Sequence, residues 1–187
     1  MAALLDETCG VGSNAIVGGL SLGGYMSLAF YRIHAQRVKQ LLIIDTGPGF
    51  KSDAAREGWN KTAQKTGDRF ERIGLSALQS LSPERSQVQH RDASGLALAA
   101  RGMLAQRNAA VIESLPNVKV GSLIVVGGDD KPFLIATEYM AKKIPGAIKV
   151  VIPNAGHAVN IDQPQAFNEA VLGFLSSSDS ASKQSKL

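Results

Sequence analysis

At 187 residues, 44% of them apolar and 19% charged, the chain is long enough for one domain with a sizeable core. The net charge of +4 comes from Lys and Arg scattered along the sequence, which argues against a nucleic-acid-binding face. The single cysteine, Cys9, excludes an intramolecular disulfide framework and suits a reducing compartment. No apolar run approaches the roughly 20 residues that span a bilayer and no signal-peptide pattern opens the chain, so the expectation is a soluble protein with no membrane span.

In chain order, Met1 to Leu5 reads as helix, and Gly10 to Ser13 turns into a short apolar strand, Ala15 to Gly18. A helix from Leu22 to about His34 follows, then a near-continuous apolar run, Val38 to Ile44, that suits a buried parallel strand. Asp45-Thr46-Gly47-Pro48-Gly49 closes that strand in a loop. From Asp53, read as an N-cap, to Pro116 the patterns are helical with no strand candidate, and Leu75, Leu78 and Leu81 share a face. Strands are expected again at Ser122 to Val126 and Lys149 to Ile152. Between them lies a helix with Phe133, Ala136, Met140 and Ile144 on one stripe, closed by Pro145-Gly146. The last helix begins near Asp162, with Pro164 in its first turn and Phe167, Val171 and Phe174 facing inward. From Ser176 the chain is Ser-rich and polar, which predicts a disordered tail. Strands alternating with helices give an α/β fold with a parallel sheet.

The chemistry concentrates in Gly18-Gly19-Leu20-Ser21-Leu22-Gly23-Gly24. A G-x-S-x-G run between a strand and a helix forms a nucleophile elbow. Glycines flank the serine where the backbone doubles back, and the helix N-terminus offers unpaired N–H groups to a developing oxyanion. Such a serine needs a base to take its proton and a carboxylate to orient that base. Of the three histidines, His34 ends a helix and His90 lies in the polar helical stretch, both as surface or packing residues. His157 lies in Asn154-Ala155-Gly156-His157-Ala158, directly after a strand, where a parallel sheet gathers its functional groups. The acid is expected after the preceding strand, at Gly127-Gly128-Asp129-Asp130. Either aspartate could serve; Asp129 could instead cap the following helix, and Asp45, at the end of another strand, is an alternative orienter.

Other motifs carry less. Gly10-Val11-Gly12-Ser13-Asn14-Ala15 fits the dinucleotide fingerprint in letters, but it opens a strand where the fingerprint must open a helix. There is no P-loop and no histidine pair at metal-ligand spacing, so neither cofactor nor metal is implied. Asn60-Lys61-Thr62 is a formal glycosylation triplet read as chance.

With the elbow at Gly19 to Gly23, the acid loop at Val126 to Asp130 and the base loop at Gly156-His157, the chain resembles the α/β-hydrolase superfamily, nearest to small esterases, enol-lactonases and C–C hydrolase-like members. The resemblance implies a Ser21, Asp130, His157 triad, the acid standing at the fourth place of a G-x-x-D run, with the Leu22 N–H as an oxyanion donor. It implies hydrolysis of an ester, lactone or thioester. C–C bond hydrolysis or acyl transfer is the alternative chemistry, and a non-catalytic fragment is the alternative class. It divides the chain into an elbow half (1–50), a helical lid (51–116) with Trp59, Phe70, Met103 and Leu104 as candidate pocket-lining residues, an acid and base half (117–175) and the tail (176–187). The family builds several strands before its elbow, whereas one helix precedes it here. The chain is therefore expected to be N-terminally truncated, with only the C-terminal half of the sheet, Ala15 to Gly18 as an exposed edge, and the second oxyanion donor missing. That loss costs on the order of 10²–10³ in rate. The terminal Ser185-Lys186-Leu187 resembles the peroxisomal address read by an import receptor, with the cytosol as the other expected compartment.

Overall fold

A computed structural model describes residues 1–80 and 89–184; Leu81 and the terminal Ser185-Lys186-Leu187 lie outside the described residues. Two compact units are present, Met1–Pro48 together with Val111–Leu187, and Gly49–Ala110. The second unit thus ends at Ala110, before the Pro116 expected from the helical run.

The first unit is built on four parallel strands in the order β1-β2-β3-β4: β1 Ala15–Leu20, β2 Val38–Ile44, β3 Gly121–Gly127 and β4 Ile148–Ile152. Helices flank them: α1 Ala2–Cys9, α2 Leu22–Ile33, α6 Lys131–Lys143, the single turn α7 Val159–Asp162, and α8 Pro164–Gln184. This is an α/β fold, a parallel sheet flanked by helices, as the alternation of elements requires. β3, in the interior of the sheet, is buried from Ser122 to Gly127, as its unbroken apolar run requires. Side chains alternate across the sheet. Leu123 and Val125 pack with Ile44, Ile152, Val159 and Phe174 of α8, with Phe167 and Val171 partly buried beside them. Leu41, Ile43, Ile124 and Val126 are equally sealed, and α2 and α6 pack along β2 and β3. Each such aliphatic side chain contributes about 1.5–3 kcal/mol by leaving water. The α6 stripe divides unevenly: Met140 and Ile144 are fully buried, while Phe133 and Ala136 are half-buried.

β1 forms an edge of the described sheet, with Val17 buried and Ile16 substantially exposed. It runs two residues beyond the expected end at Gly18, because Gly19 and Leu20 still pair with Ile43 and Ile44. α1 buries none of its residues and is tied down by polar contacts. The nearly buried Arg37 guanidinium donates to Asp6 at 2.6 Å and to the Ser13 carbonyl at 2.5 Å, and it holds the Asp6 carboxyl below the usual carboxylate range. α8 continues to Gln184, past the Ser176 at which a disordered tail was expected. Ser176 and Ser177 hydroxyls bond back to the carbonyls of Leu172 and Phe174, so their polarity does not stop the helix.

In the second unit, α3 Asp53–Ile73 continues into a 3-10 segment, Gly74–Ser80, and packs on α4 Ala93–Met103. The cap of α3 is Ser52, whose hydroxyl accepts from the Ala55 N–H at 3.1 Å, and Asp53 occupies the first helical position. Phe70, Ala77 and Ala97 make its core, with Leu78 packed against it. Arg101 forks onto Asp68 and Glu71, and the Trp59 indole donates to the Leu104 carbonyl at 2.6 Å. The Asn60 amide is clasped on both sides by the Gln106 backbone, at 2.9 and 2.7 Å. Trp59, Phe70 and the Leu104 backbone are therefore committed to packing within the unit, while Met103 is exposed. The short α5, Ala110–Ser114, leads back to the sheet through a 3-10 turn at Leu115–Asn117.

Candidate active site

All four strands run the same way, so the segments that follow them gather at one rim of the sheet. Ser21 follows β1, Asp45 follows β2, the Gly128 to Asp130 turn follows β3, and the loop carrying His157 follows β4. Hydrogen bonds lace this rim strand by strand. The Ser21 N–H donates to the Ile44 carbonyl at 2.9 Å, and the Asp45 N–H to Val125 at 2.9 Å. The Gly128 N–H reaches Ile152 at 2.8 Å and the Asp129 N–H reaches Ala155 at 2.9 Å.

Ser21 sits at φ 56°, ψ −118°, a region L-residues seldom occupy, immediately before the first residue of α2. Such a turn is possible because the backbone around it is bare. A Cβ on Gly19 would fall 2.6 Å from the Gly23 carbonyl carbon, and one on Gly24 would fall 2.6 Å from Thr46 Cγ2 and 2.9 Å from the Gly19 carbonyl. Gly23, the second glycine of the motif, has open space where its Cβ would be. The steric demand therefore falls on Gly19 and Gly24, a shift from the expected pair that follows from the direction in which α2 leaves the elbow. The Leu22 N–H heads α2, where helical geometry provides no carbonyl to accept it.

The candidate base and the candidate acid are in direct contact. Nδ1 of His157 lies 2.7 Å from Asp130 Oδ2, with Asp130 almost fully buried and the imidazole about one-fifth exposed. Asp130 occupies the N-cap position of α6 without capping it; its carboxyl is turned to the imidazole instead. Asp129, the other candidate, is exposed and lies 4.0 Å from Lys131, so it neither orients the histidine nor caps the helix. With Nδ1 engaged, Nε2 is the nitrogen left for proton exchange. The Phe133 ring stacks on the imidazole at 5.1 Å between centroids. Its place three residues after Asp130, in the first turn of α6, was the available sequence signal for that contact. The base loop is itself held: the Gly156 N–H donates to Asp162 at 2.7 Å, and the Gln163 amide donates to the Asn154 carbonyl at 3.1 Å. The structure thus joins Asp130 to His157 and leaves Ser21 on the same rim, its hydroxyl in no hydrogen bond among the described residues. His34 lies against Phe30 in a tilted pair, and His90 is exposed.

Asp45 lies fully buried at φ 41°, its Oδ1 accepting the Gly127 N–H at 2.8 Å. Burial raises its carboxyl to about 7; the Gly127 N–H opposes that, the Asp130 charge adds to it, and His157 pulls it down. An acid held above its unfolded value near 3.8 destabilises the fold progressively as pH rises through that value, and the effect is complete above about 7. Among the described residues, no three His, Cys, Asp or Glu side chains converge as a metal site, and no helix is long and apolar enough to cross a membrane.

A profile of the Alpha/beta hydrolase family matches residues 1–170. A Bacillus subtilis (strain 168) protein named as a 2-succinyl-6-hydroxy-2,4-cyclohexadiene-1-carboxylate synthase is 27% identical over 177 residues, covering 85% of this chain and 65% of its own length. The solved structure of a thermophilic esterase from Thermogutta terrifontis is 29% identical with a TM-score of 0.73, the match covering 92% of this chain and 68% of the esterase. MenH from S. aureus, at 23% identity, has the same fold with a TM-score of 0.81 over 94% of this chain and 72% of its own. The chain therefore spans somewhat under two thirds of the Bacillus relative and somewhat over two thirds of the two solved structures.

Proposed function

Since this chain belongs to the alpha/beta hydrolase family, we propose that it is a serine hydrolase that cleaves an ester, lactone or thioester through Ser21, His157 and Asp130. The observation that carries this reading is the 2.7 Å bond from a buried Asp130 to the imidazole of His157, on the same sheet rim as the Ser21 elbow. Ser21 Oγ attacks the acyl carbon while Nε2 of His157 takes its proton. The Leu22 N–H receives the negative charge on the former carbonyl oxygen. Collapse expels the alcohol or thiol, which leaves with that proton, and water repeats the cycle to free the acid and restore the serine. Asp130 holds the imidazole in the tautomer that keeps Nε2 open. A serine–base hydrogen bond that closes only with substrate in place is usual for such sites. The inserted helical unit is, in this reading, the family's lid.

Labelling with a fluorophosphonate tests the nucleophile. The unmodified chain should gain one phosphonyl group at Ser21, and Ser21→Ala should gain none; equal labelling of both would overturn the assignment. The synthase name of the Bacillus relative supports a second reading, in which the same three residues serve a reaction that forms a cyclohexadiene carboxylate. A chain labelled at Ser21 that hydrolyses no acyl ester would favour it. The terminal Ser185-Lys186-Leu187 supports import into peroxisomes. A fluorescent protein bearing these last residues should collect in peroxisomes and spread through the cytosol once Leu187 is deleted.

A further inference from the structure

We propose that Asp45 is a positioning residue for the Asp130–His157 pair: its buried carboxyl holds the root of the acid loop through Gly127 and forms one electrostatic set with both partners. This rests on the proposed hydrolase reading and adds a group to it. Three observations carry it. The Asp45 Oδ1 accepts the Gly127 N–H at 2.8 Å, and the Gly127 carbonyl in turn accepts the Asp130 N–H at 3.0 Å, so one short relay ties the β2 end to the residue that orients the base. Gly127 also abuts the base loop: a Cβ there would collide with the Ala155 and Gly156 carbonyls, so whatever fixes Gly127 fixes the separation of the two loops. Finally, the Asp45 Oδ2 is buried and makes no close hydrogen bond, the Val159 N–H being the other backbone group that favours its charge.

A fully ionised carboxylate would leave that oxygen charged and buried, whereas a proton on Oδ2 removes the charge and leaves Oδ1 free to accept from Gly127. The raised carboxyl of Asp45 agrees with this. The titratable groups facing it are Asp130 from the β3 loop and His157 from the β4 loop, and they act in opposite senses. Asp45 therefore changes charge near neutrality according to the state of the pair it supports.

Carbon-13 and nitrogen-15 NMR titration of the full chain tests this. The Asp45 carboxyl carbon should titrate near 7, and the Gly127 amide should move with the same midpoint. His157→Gln should raise that midpoint and Asp130→Asn should lower it, each by about half a pH unit or more. The proposal fails if Asp45 titrates as an ordinary carboxylate, if the Gly127 amide does not follow it, or if the midpoint stays fixed in the variants. A role in packing alone would leave the midpoint fixed. Should Asp130→Asn not fold, the unmodified chain and His157→Gln, altered at a partly exposed side chain, still decide the matter. None of these readings involves Ser21. An unlabelled Ser21 with a coupled Asp45 overturns only the hydrolase reading, and a labelled Ser21 with an uncoupled Asp45 overturns only this one.

Discussion

Asp130→Asn should lower the rate of p-nitrophenyl acetate hydrolysis by roughly 10⁴ while leaving the fold intact. The carboxylate accepts from Nδ1 of His157 at 2.7 Å and thereby leaves Nε2 as the acceptor that the proposed mechanism requires. An asparagine in the same place can turn its NH₂ toward Nδ1, which favours the tautomer whose proton sits on Nε2. The serine then meets a donor where it needs an acceptor. Stability should change little, because Asp130 makes no cap bond to α6 and asparagine suits an N-cap position as well as aspartate does. Kinetics together with a thermal melt therefore separate chemistry from folding. A variant that keeps its rate within tenfold of the unmodified chain would remove Asp130 from the mechanism. His157→Ala should abolish turnover in the same assay.

The second large effect is on the fold. Gly127→Ala should destabilise the chain by about 3 kcal/mol or more, lowering its melting temperature by roughly 6–12 °C. The added methyl would meet the carbonyl oxygens of Ala155 and Gly156 and lie 2.8 Å from the Ala155 carbonyl carbon. These are backbone atoms, and they cannot swing aside as a flexible side chain could. The Asp129 N–H already bonds the Ala155 carbonyl, so relief requires the base loop to move away from the acid loop. Activity should fall further than stability alone explains, because the Asp130–His157 distance opens. Gly23→Ala is the matched control: its Cβ enters open space, and a comparable loss there would refute the steric account.

Much of this architecture is written locally. The apolar runs from Leu41 to Ile44 and from Ser122 to Val126 make largely buried strands because their alternate side chains fill both faces of the sheet. The Ser21 elbow shows in its glycines. Contacts between residues far apart in sequence are not written there. Two adjacent aspartates look alike in a string, and only the turn after β3 turns Asp130 inward and Asp129 to solvent. Phe133 reads as one member of a helical stripe, yet its ring lies on the imidazole 24 residues later. Asp45 reads as an alternative orienter because it ends a strand; its carboxyl bonds instead to the Gly127 N–H, 82 residues on. Ser52 replaced Asp53 as a cap because both suit the position and one residue of register decides between them.

Among the described residues, the non-glycine positions with positive φ are Ser21, Asp45 and Asn154. Each stands just beyond the end of a strand, on the rim where the base meets its acid. Backbone in such regions costs about 1–3 kcal/mol per residue, so the strain these three residues carry gathers on one rim of the sheet. Selection for heat resistance and selection for chemistry then pull in opposite directions at the same codons. A population screened only for survival at high temperature would drift toward glycine at position 21, gaining robustness as it discards the proposed nucleophile, while Asp45, whose carboxyl satisfies the buried Gly127 N–H, would stay.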